Sequence, residues 1–318
     1  MLTVTVPSAE VAAALGECGP NVRVEVWNPA EGDAPDALRT TVDMVCLAHH
    51  TGGRTVYGRL AQCPGLRLIQ LPSAGFEHAL PFVPAGVALA NAQGVHDART
   101  AEMALTLTLA LRRGLPRFVD NQRRGVWERG PWEASLADSH VLVVGYGSIG
   151  AAIGARMRAC EAHVEGVART ARVAEDGTVV HAASDLPRLV GRADVVVLVL
   201  PATKATHHLA DARLLAAMKD GAVLVNVGRG GAVDPEALAA ELATGRLRAG
   251  LDVTEPEPLP EGHPLWNAPG LLVTPHVAGM ALLTDRRYVA LVRRQVESLS
   301  SGGEGVQVVV RPTDVRPE

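Results

Sequence analysis

Three ionisable side chains, Arg229, Glu257 and His276, each come just after a β-branched apolar run. As residue types they can together hold an anion and move a proton. An imidazole titrates near neutral pH without large perturbation, so His276 suits a general acid in one direction and a general base in the other. Glu257 can hydrogen-bond that ring, fix its tautomer and stabilise the imidazolium. Arg229 can grip a carboxylate through two parallel N–H···O bonds and polarise a neighbouring carbonyl. This set suits reduction of a 2-keto acid, with a nicotinamide as the hydride source. Each residue also has a plainer use. Arg229 could bind cofactor phosphate. Glu257 lies in the acidic, proline-rich run Glu255-Pro-Glu-Pro258, where charge is commonly just solvated. His276 could be an ordinary histidine after a strand.

A second motif supplies the place for a nicotinamide cofactor. Val141-Leu-Val-Val runs straight into Gly145-Tyr-Gly147-Ser148-Ile149-Gly150, the G-x-G-x-x-G spacing between a strand and a helix. Gly145 permits the tight turn, Gly147 lets a pyrophosphate approach the backbone, and Gly150 lets helix and strand pack closely. Free N–H groups at the helix start then bind the phosphates. The next strand ends at Ala168, eighteen residues beyond Gly150, where an NAD site normally carries an acid for the ribose hydroxyls. Arg169, Thr170 and Arg172 follow instead. Without a carboxylate to repel it, a 2′-phosphate can be held by guanidinium forks, so NADP(H) is expected over NAD(H), with NAD(H) still possible. The bland alternative is a solvated arginine loop.

The elements that must position these groups are legible as short apolar strands alternating with Ala/Leu-rich helical stretches, the pattern of βαβ units. A first set of strands is Leu2–Val6, Val22–Val26, Val42–Leu47, Leu66–Leu71 and Val87–Ala90. A second is Val141–Val144, Val164–Val167, Val195–Leu200, Val223–Val227, Ala249–Val253 and Leu271–Val273. The expected fold class is therefore α/β with two doubly wound parallel-sheet domains. One is a Rossmann nucleotide-binding domain over 96–282, the other a smaller flavodoxin-like substrate domain over 1–95 and 283–318. Ligands in such sheets bind beyond the carboxyl ends of the strands, where Pro201, Thr203, Arg229, Asp252 and His276 fall. Helix starts are expected at Ser8, Ser184, Asp211 and Asp234, and a helix over Asp285–Leu299 should return to the first domain. Arg99–Leu111 is apolar almost all round, as at a domain junction or subunit interface. The last dozen residues have little periodicity and read as a loosely held tail.

Composition narrows the function classes. The chain has 318 residues, 47% apolar and 20% charged, with a net charge of −4. At about 150 residues per domain that length suits two domains. No basic face points to nucleic acid, and no run of about 18 apolar residues points to a membrane span. Four scattered cysteines without a CxxC pair, and no basic-then-apolar leader, make a cytoplasmic setting the simplest expectation. No metal is expected, and the doublets His49–His50 and His207–His208 read as loop residues before ligands.

With these residues in view, the chain resembles the D-isomer-specific 2-hydroxyacid dehydrogenases from about Val42 to Leu299. That family includes glyoxylate and hydroxypyruvate reductases and phosphoglycerate, formate and phosphite dehydrogenases. The most specific stretches are Gly145–Gly150, Asn226-Val-Gly-Arg-Gly230, Leu251-Asp-Val-Thr-Glu-Pro-Glu-Pro-Leu259 and Thr274-Pro-His-Val-Ala-Gly279. The resemblance implies Arg229, Glu257 and His276 as the catalytic set, choosing Glu257 over Glu255 because it directly precedes Pro258-Leu259-Pro260. It implies Asp252 against the nicotinamide carboxamide, and Thr203, Thr206, Val227, Gly228 and Gly279 along the cofactor. Backbone N–H groups of Ser73, Ala74 and Gly75 would face the substrate carboxylate beside Arg229. A homodimer through Arg99–Leu111 is also implied. Ala168-Arg169-Thr170 resembles the NADP-preferring members. His49, His50, Phe76, Trp127, Trp132 and Met280 are candidates for shaping a pocket around a small keto acid. Oxidation of phosphite or formate, or a cofactor-sensing corepressor role, would use the same scaffold.

Overall fold

The alternating apolar runs fold into two mostly parallel sheets in a computed structural model that describes residues 1–49, 51–131, 133–280 and 282–311. The strands in chain order are β1 (Leu2–Val6), β2 (Val22–Val26), β3 (Met44–Cys46), β4 (Leu68–Gln70), β5 (Ala88–Ala90), β6 (His140–Val144) and β7 (His163–Ala168). There follow β8 (Arg172–Val173), β9 (Val179–Ala182), β10 (Val195–Leu198), β11 (Val223–Asn226), β12 (Arg248–Leu251), β13 (Leu271–Val273) and β14 (Val308–Val310). The helices are α1 (Ala9–Leu15), α2 (Asp36–Arg39), α3 (Gly53–Leu60), α4 (Asp97–Arg112) and α5 (Leu115–Arg123). After them come α6 (Ser148–Ala159), α7 (Leu186–Val190), α8 (Ala212–Ala217), α9 (Pro235–Ala243) and α10 (Arg286–Ser300).

One compact unit comprises Met1–His96 with Ala281–Glu318, the other Asp97–Met280. The first holds the sheet β14-β5-β4-β3-β1-β2. Its parallel part is the flavodoxin-like order, reversing between β1 and β3. Alternate side chains feed two cores. Val45, Leu47, Ile69, Leu71 and Leu89 pack with Val56, Tyr57 and Leu60 of α3. Val4, Val6, Met44, Leu68 and Ala90 pack with α1 and with Tyr288, Leu291, Val292 and Val296 of α10. The last main helix of the chain thus completes the unit that its first strand begins.

The second unit holds β13-β12-β11-β10-β6-β7-β9-β8. The reversal between β6 and β10 is the Rossmann arrangement. Leu142, Val144, Val196, Leu198, Leu224 and Leu251 face α7, α8 and α9. Val141, Val143, Val195, Val197, Val223 and Val225 face the other way, toward α4 and α6. Gly250 lets α4 lie close on that face, because a Cβ there would stand 3.0 Å from Leu107 Cβ.

Several expectations change in detail. β8 and β9 extend the second sheet beyond the six strands read from sequence. They are only two and four residues long, mostly exposed or half-buried, and β8 pairs antiparallel, so they lack the long, continuously buried apolar run of a doubly covered strand. Val308–Val310 is no tail: it pairs antiparallel with β5 and buries Val310. Its three residues are too few for a periodic signal. Ser184 lies in a 3₁₀ turn and Asp185 occupies the N-cap of α7, whereas Ser8, Asp211, Asp234 and Asp285 each accept a first-turn N–H as caps. α4 buries one stripe (Thr100, Ala101, Ala104, Leu107, Thr108, Leu111) and exposes Arg99, Glu102 and Thr106 on the other. The four cysteines are free, and burial pushes the Cys46 thiol up to about 12. Among the described residues no helix is long and apolar enough to cross a membrane.

Candidate active site

The second sheet delivers its candidate residues to one edge. Register pairs Val167, Val144, Leu198, Asn226, Leu251 and Val273 in a single row across parallel neighbours. Just past that row the chain turns into Ala168-Arg169, Gly145, Pro201, Val227–Arg229, Asp252 and His276. Residues far apart in sequence therefore share the carboxyl rim because their strands run parallel in matched register.

The Gly145–Gly150 turn divides its glycines by purpose. Gly145 has φ 105° and approaches Val199, whose carbonyl oxygen would lie 2.3 Å from an added Cβ. At Gly150 a Cβ would meet the Gly145 carbonyl oxygen at 2.3 Å. These two make the turn and the helix contact. A Cβ at Gly147 would meet no protein atom within 4 Å. Gly147 is also the N-cap of α6 and offers no side-chain cap, so the N–H groups of Ser148, Ile149 and Gly150 point out at the positive end of a twelve-residue helix. A pyrophosphate fits that surface.

Between the glycines, Tyr146 is buried and sequence reading assigned it no part. Its hydroxyl bonds Thr178 Oγ1 at 2.9 Å and Asp176 Oδ2 at 3.0 Å, while Arg158 bonds Asp176 at 2.6 Å and Thr178 at 2.6 Å. Gly154 and Gly166 leave room for the Tyr146 ring and hydroxyl, since a Cβ at either would fall 2.6 Å or less from them. Burial pushes the Asp176 carboxyl up, but hydrogen bonds from Thr178, Arg158 and Tyr146 outweigh it and hold the group well below the usual carboxylate range. Arg172 donates to the Tyr146 carbonyl, so one of its N–H groups steadies the loop. Arg169 and Thr170 are exposed, and Arg169 has no hydrogen bond or ion pair among the described residues.

Around Arg229, the buried Asn226 clamps the turn. Its Nδ2 donates to the Arg229 carbonyl at 2.9 Å and its Oδ1 accepts from Gly228 N at 3.1 Å. Arg229 is half-buried, and its Nη1 donates to the Gly228 carbonyl at 2.8 Å. Gly228 passes close to Leu200, where a Cβ would lie 2.6 Å from the amide nitrogen. The loop after β10 ties to itself: Thr206 Oγ1 donates to the Pro201 carbonyl at 2.6 Å and meets Thr203 Oγ1 at 2.9 Å.

Asp252 is almost wholly buried and organises the His276 segment. Its Oδ1 accepts from Thr274 Oγ1 at 2.6 Å and Val277 N at 3.0 Å, and its Oδ2 accepts from Ala278 N at 2.9 Å. Its carbonyl accepts from His276 N at 2.7 Å. Three of roughly four carboxylate acceptor positions are thus used within the chain. His276 takes φ 55°, and its Nδ1 hydrogen-bonds Glu257 Oε1. Both side chains remain about half exposed. Gly230 brings the Arg229 turn onto the Glu257 loop, since even a Cβ at this position would stand 1.8 Å from the Thr254 carbonyl oxygen. The structure thus joins Glu257 to His276 and sets Arg229 on the same rim, two strands away. Gly279 follows the Asp252-bound segment and is partly buried.

In the first unit, Ser73 Oγ donates to the Gly75 carbonyl at 2.7 Å, and Asn91 Nδ2 donates to the Ala74 carbonyl at 2.7 Å, which fixes this loop. His49 stands edge-on to His96, and Phe76 packs against the α3 core. Trp127 is 96% exposed and Met280 is exposed as well. His50 and Trp132 lie outside the described residues. The signals for Asn226 and Gly230 were available: a lone polar residue ending a valine strand, and a glycine beside a charged one. The tyrosine network had no sequence signature, because Tyr146 stands 12 to 32 residues from its partners.

Residues 105–278 match a family model described as the NAD binding domain of D-isomer specific 2-hydroxyacid dehydrogenase. The chain is 32% identical over 304 residues to the glyoxylate reductase/hydroxypyruvate reductase of Mus musculus, covering 89% of each chain. A D-isomer specific 2-hydroxyacid dehydrogenase from Xanthobacter autotrophicus Py2, solved in complex with NADPH and MES, aligns with a TM-score of 0.82 at 28% identity over 98% of both chains. An NADPH-dependent glyoxylate/hydroxypyruvate reductase from Sinorhizobium meliloti, in complex with NADP and sulfate, aligns with a TM-score of 0.79 at 27% identity. That match covers 97% of this chain and 98% of the other.

Proposed function

Since the chain belongs to the D-isomer specific 2-hydroxyacid dehydrogenase family of NAD(P)-dependent oxidoreductases, we propose that it reduces a small 2-keto acid, of glyoxylate or hydroxypyruvate size, to the D-2-hydroxy acid with NADPH. The observation that carries this reading is the Glu257–His276 hydrogen bond on the same strand-end rim as Arg229 and the Gly145–Gly150 turn. When bound, the dihydronicotinamide supplies the hydride. The rim residues do the rest. Arg229 holds the substrate carboxylate and polarises the keto group. His276 gives a proton from Nε2 to the carbonyl oxygen as charge develops there, while Glu257 at Nδ1 fixes the tautomer that leaves Nε2 facing out. The N–H groups of Ser148, Ile149 and Gly150 hold the pyrophosphate, and backbone N–H groups of the 73–75 loop are further donors for the carboxylate. Asp252 keeps His276 in place, with one acceptor position left for the carboxamide. Arg169, Thr170 and the remaining N–H groups of Arg172 favour a 2′-phosphate.

A homodimer is part of this proposal. The exposed Leu115, Phe118 and Val126 after α4, beside Met103, Leu105 and Leu109 of α4, which the unit's own core covers only in part, are the apolar surface that supports it. The test is loss of dihydronicotinamide absorbance with a panel of 2-keto acids, run with NADPH and with NADH. Turnover is expected with glyoxylate or hydroxypyruvate, faster with NADPH. Arg169→Asp should shift preference toward NADH by about tenfold or more, the value of ~1.4 kcal/mol. No turnover on any keto acid would remove the reductase reading, and no shift would remove the 2′-phosphate assignment.

A further inference from the structure

Outside the Glu257–His276 pair, the described residues hold one cluster whose donors converge without any task assigned so far. His207 and His208 stack with ring centroids 4.0 Å apart and planes 19° apart. Their Nε2 atoms lie 3.4 Å and 3.1 Å from the same carboxylate oxygen, Glu255 Oε2. One donor atom from each residue, two imidazole nitrogens and a carboxylate oxygen, falls within 4.8 Å of the others. We propose that His207, His208 and Glu255 form a binding site for a late first-row divalent cation of the zinc or nickel type.

Four features support the assignment. The donor set, two imidazoles and one carboxylate, suits zinc, nickel or copper and is a poor set for magnesium or calcium, which prefer oxygen throughout. Zinc takes nitrogen at about 2.0–2.1 Å and carboxylate oxygen at about 2.0–2.2 Å, so the nitrogen–oxygen spacings of 3.4 and 3.1 Å suit one shared ion once the stacked rings tilt their Nε2 edges toward it. An outer carboxylate stands near: Asp234 Oδ2 lies 3.9 Å from His208 Nδ1, beyond hydrogen-bond length, and would complete a carboxylate–histidine–metal arrangement on a small approach. Asp234 is itself held as the cap of α9, accepting from Glu236 and Ala237 N–H. Finally, the backbone is built to present the rings. His208 takes φ 49°, in the left-handed region, and is held there by its N–H on the Gly231 carbonyl at 2.7 Å. Gly231 has no side chain to obstruct Glu255, whose Oε2 would lie 3.1 Å from a Cβ at that position.

The three ligands come from two loops, 201–209 and 254–258, and the second carries Glu257 two residues beyond Glu255. A bound cation would therefore pin the Glu257 loop to the loop after β10 and leave coordination positions open to water. All three side chains are about 37% to 56% exposed, so an ion can enter from solvent. The site stands independently of the substrate and cofactor readings.

The experiment is a titration of the purified full chain with zinc chloride in a non-chelating buffer by calorimetry. It is paired with cobalt(II) titration, in which visible absorption reports nitrogen–oxygen coordination. One ion per chain at micromolar concentration is expected. His207→Ala with His208→Ala, and separately Glu255→Gln, should each weaken binding by about tenfold or more, since a ligand is lost outright. His207→Gln alone is the milder variant, and circular dichroism checks that every variant is folded. Absence of zinc binding in the parent protein, or binding that survives unchanged in the folded variants, would overturn the proposal. The second result would move the site elsewhere, for example to the paired rings of His140 and His163.

Discussion

His276 shows what the fold invests in a single side chain. A left-handed backbone costs a non-glycine residue about 1–2 kcal/mol. Here it is offset by Asp252, which accepts from His276 N through its carbonyl and from Thr274, Val277 and Ala278 through its carboxylate. Strain held by neighbours in this way is common at sites where side-chain direction matters. The conformation turns Nδ1 to Glu257, so in the proposed reaction Nε2 is the nitrogen that would give the proton. His276→Ala should lower turnover by about 10²–10⁴-fold, the usual value of a positioned general acid. Cofactor affinity, read by dihydronicotinamide fluorescence, should stay the same. Glu257→Gln keeps the volume and an acceptor but loses the charge, so a smaller loss with an altered pH–rate profile is expected. Unchanged turnover in His276→Ala would remove its acid–base role.

Among the elements, the β6–α6 turn separates a folding requirement from a binding requirement within six residues. Gly145 and Gly150 press against backbone carbonyls, and Gly145 also sits at positive φ. Gly147 has an ordinary φ of −94° and free space around its missing Cβ. Gly147→Ala should therefore leave the unfolding midpoint within about 1 kcal/mol of the parent, the change expected at an N-cap. It should weaken cofactor binding by about tenfold or more, because the methyl occupies the path of the pyrophosphate. Gly145→Ala should destabilise the fold itself. Thermal unfolding set beside cofactor titration tells the two apart, and equal cofactor affinity in Gly147→Ala would show that the phosphates lie elsewhere. Behind the turn, the Tyr146–Arg158–Asp176–Thr178 network favours ionised Asp176, so its contribution is present above the usual aspartate range and fades as pH falls below it.

At the scale of the whole molecule, the first unit is discontinuous. Its five parallel strands are laid down by residues 2–90, but one face is covered only in part, by α1, until α10 is made. Leu291 of that helix is fully buried against the strand residues of that core. Leu291→Ala should cost about 2–5 kcal/mol, the range for truncating a buried leucine, seen as a lower urea midpoint of the first unit. A loss under ~1 kcal/mol would mean that α10 does not seal that core. β14 adds an antiparallel edge strand to the same sheet, so residues from both ends of the chain share one hydrogen-bonded layer.

The sequence by itself carried the strand alternation, both sheet orders' parallel cores, the helix caps at Ser8, Asp211 and Asp234, and the types of residue at the strand ends. Those are local properties: apolar runs, turn glycines and capping carboxylates announce themselves within a few residues. It did not carry β8, β9 and β14, which are two to four residues long, too short for a pattern along the chain to mark them even where valines fill them. Nor could it join Tyr146 to Asp176, spend Asp252 on the His276 segment, or bring Gly230 against Thr254. Those contacts exist only once parallel register and packing set distant loops within a few ångströms of one another, and no spacing along the chain encodes that distance.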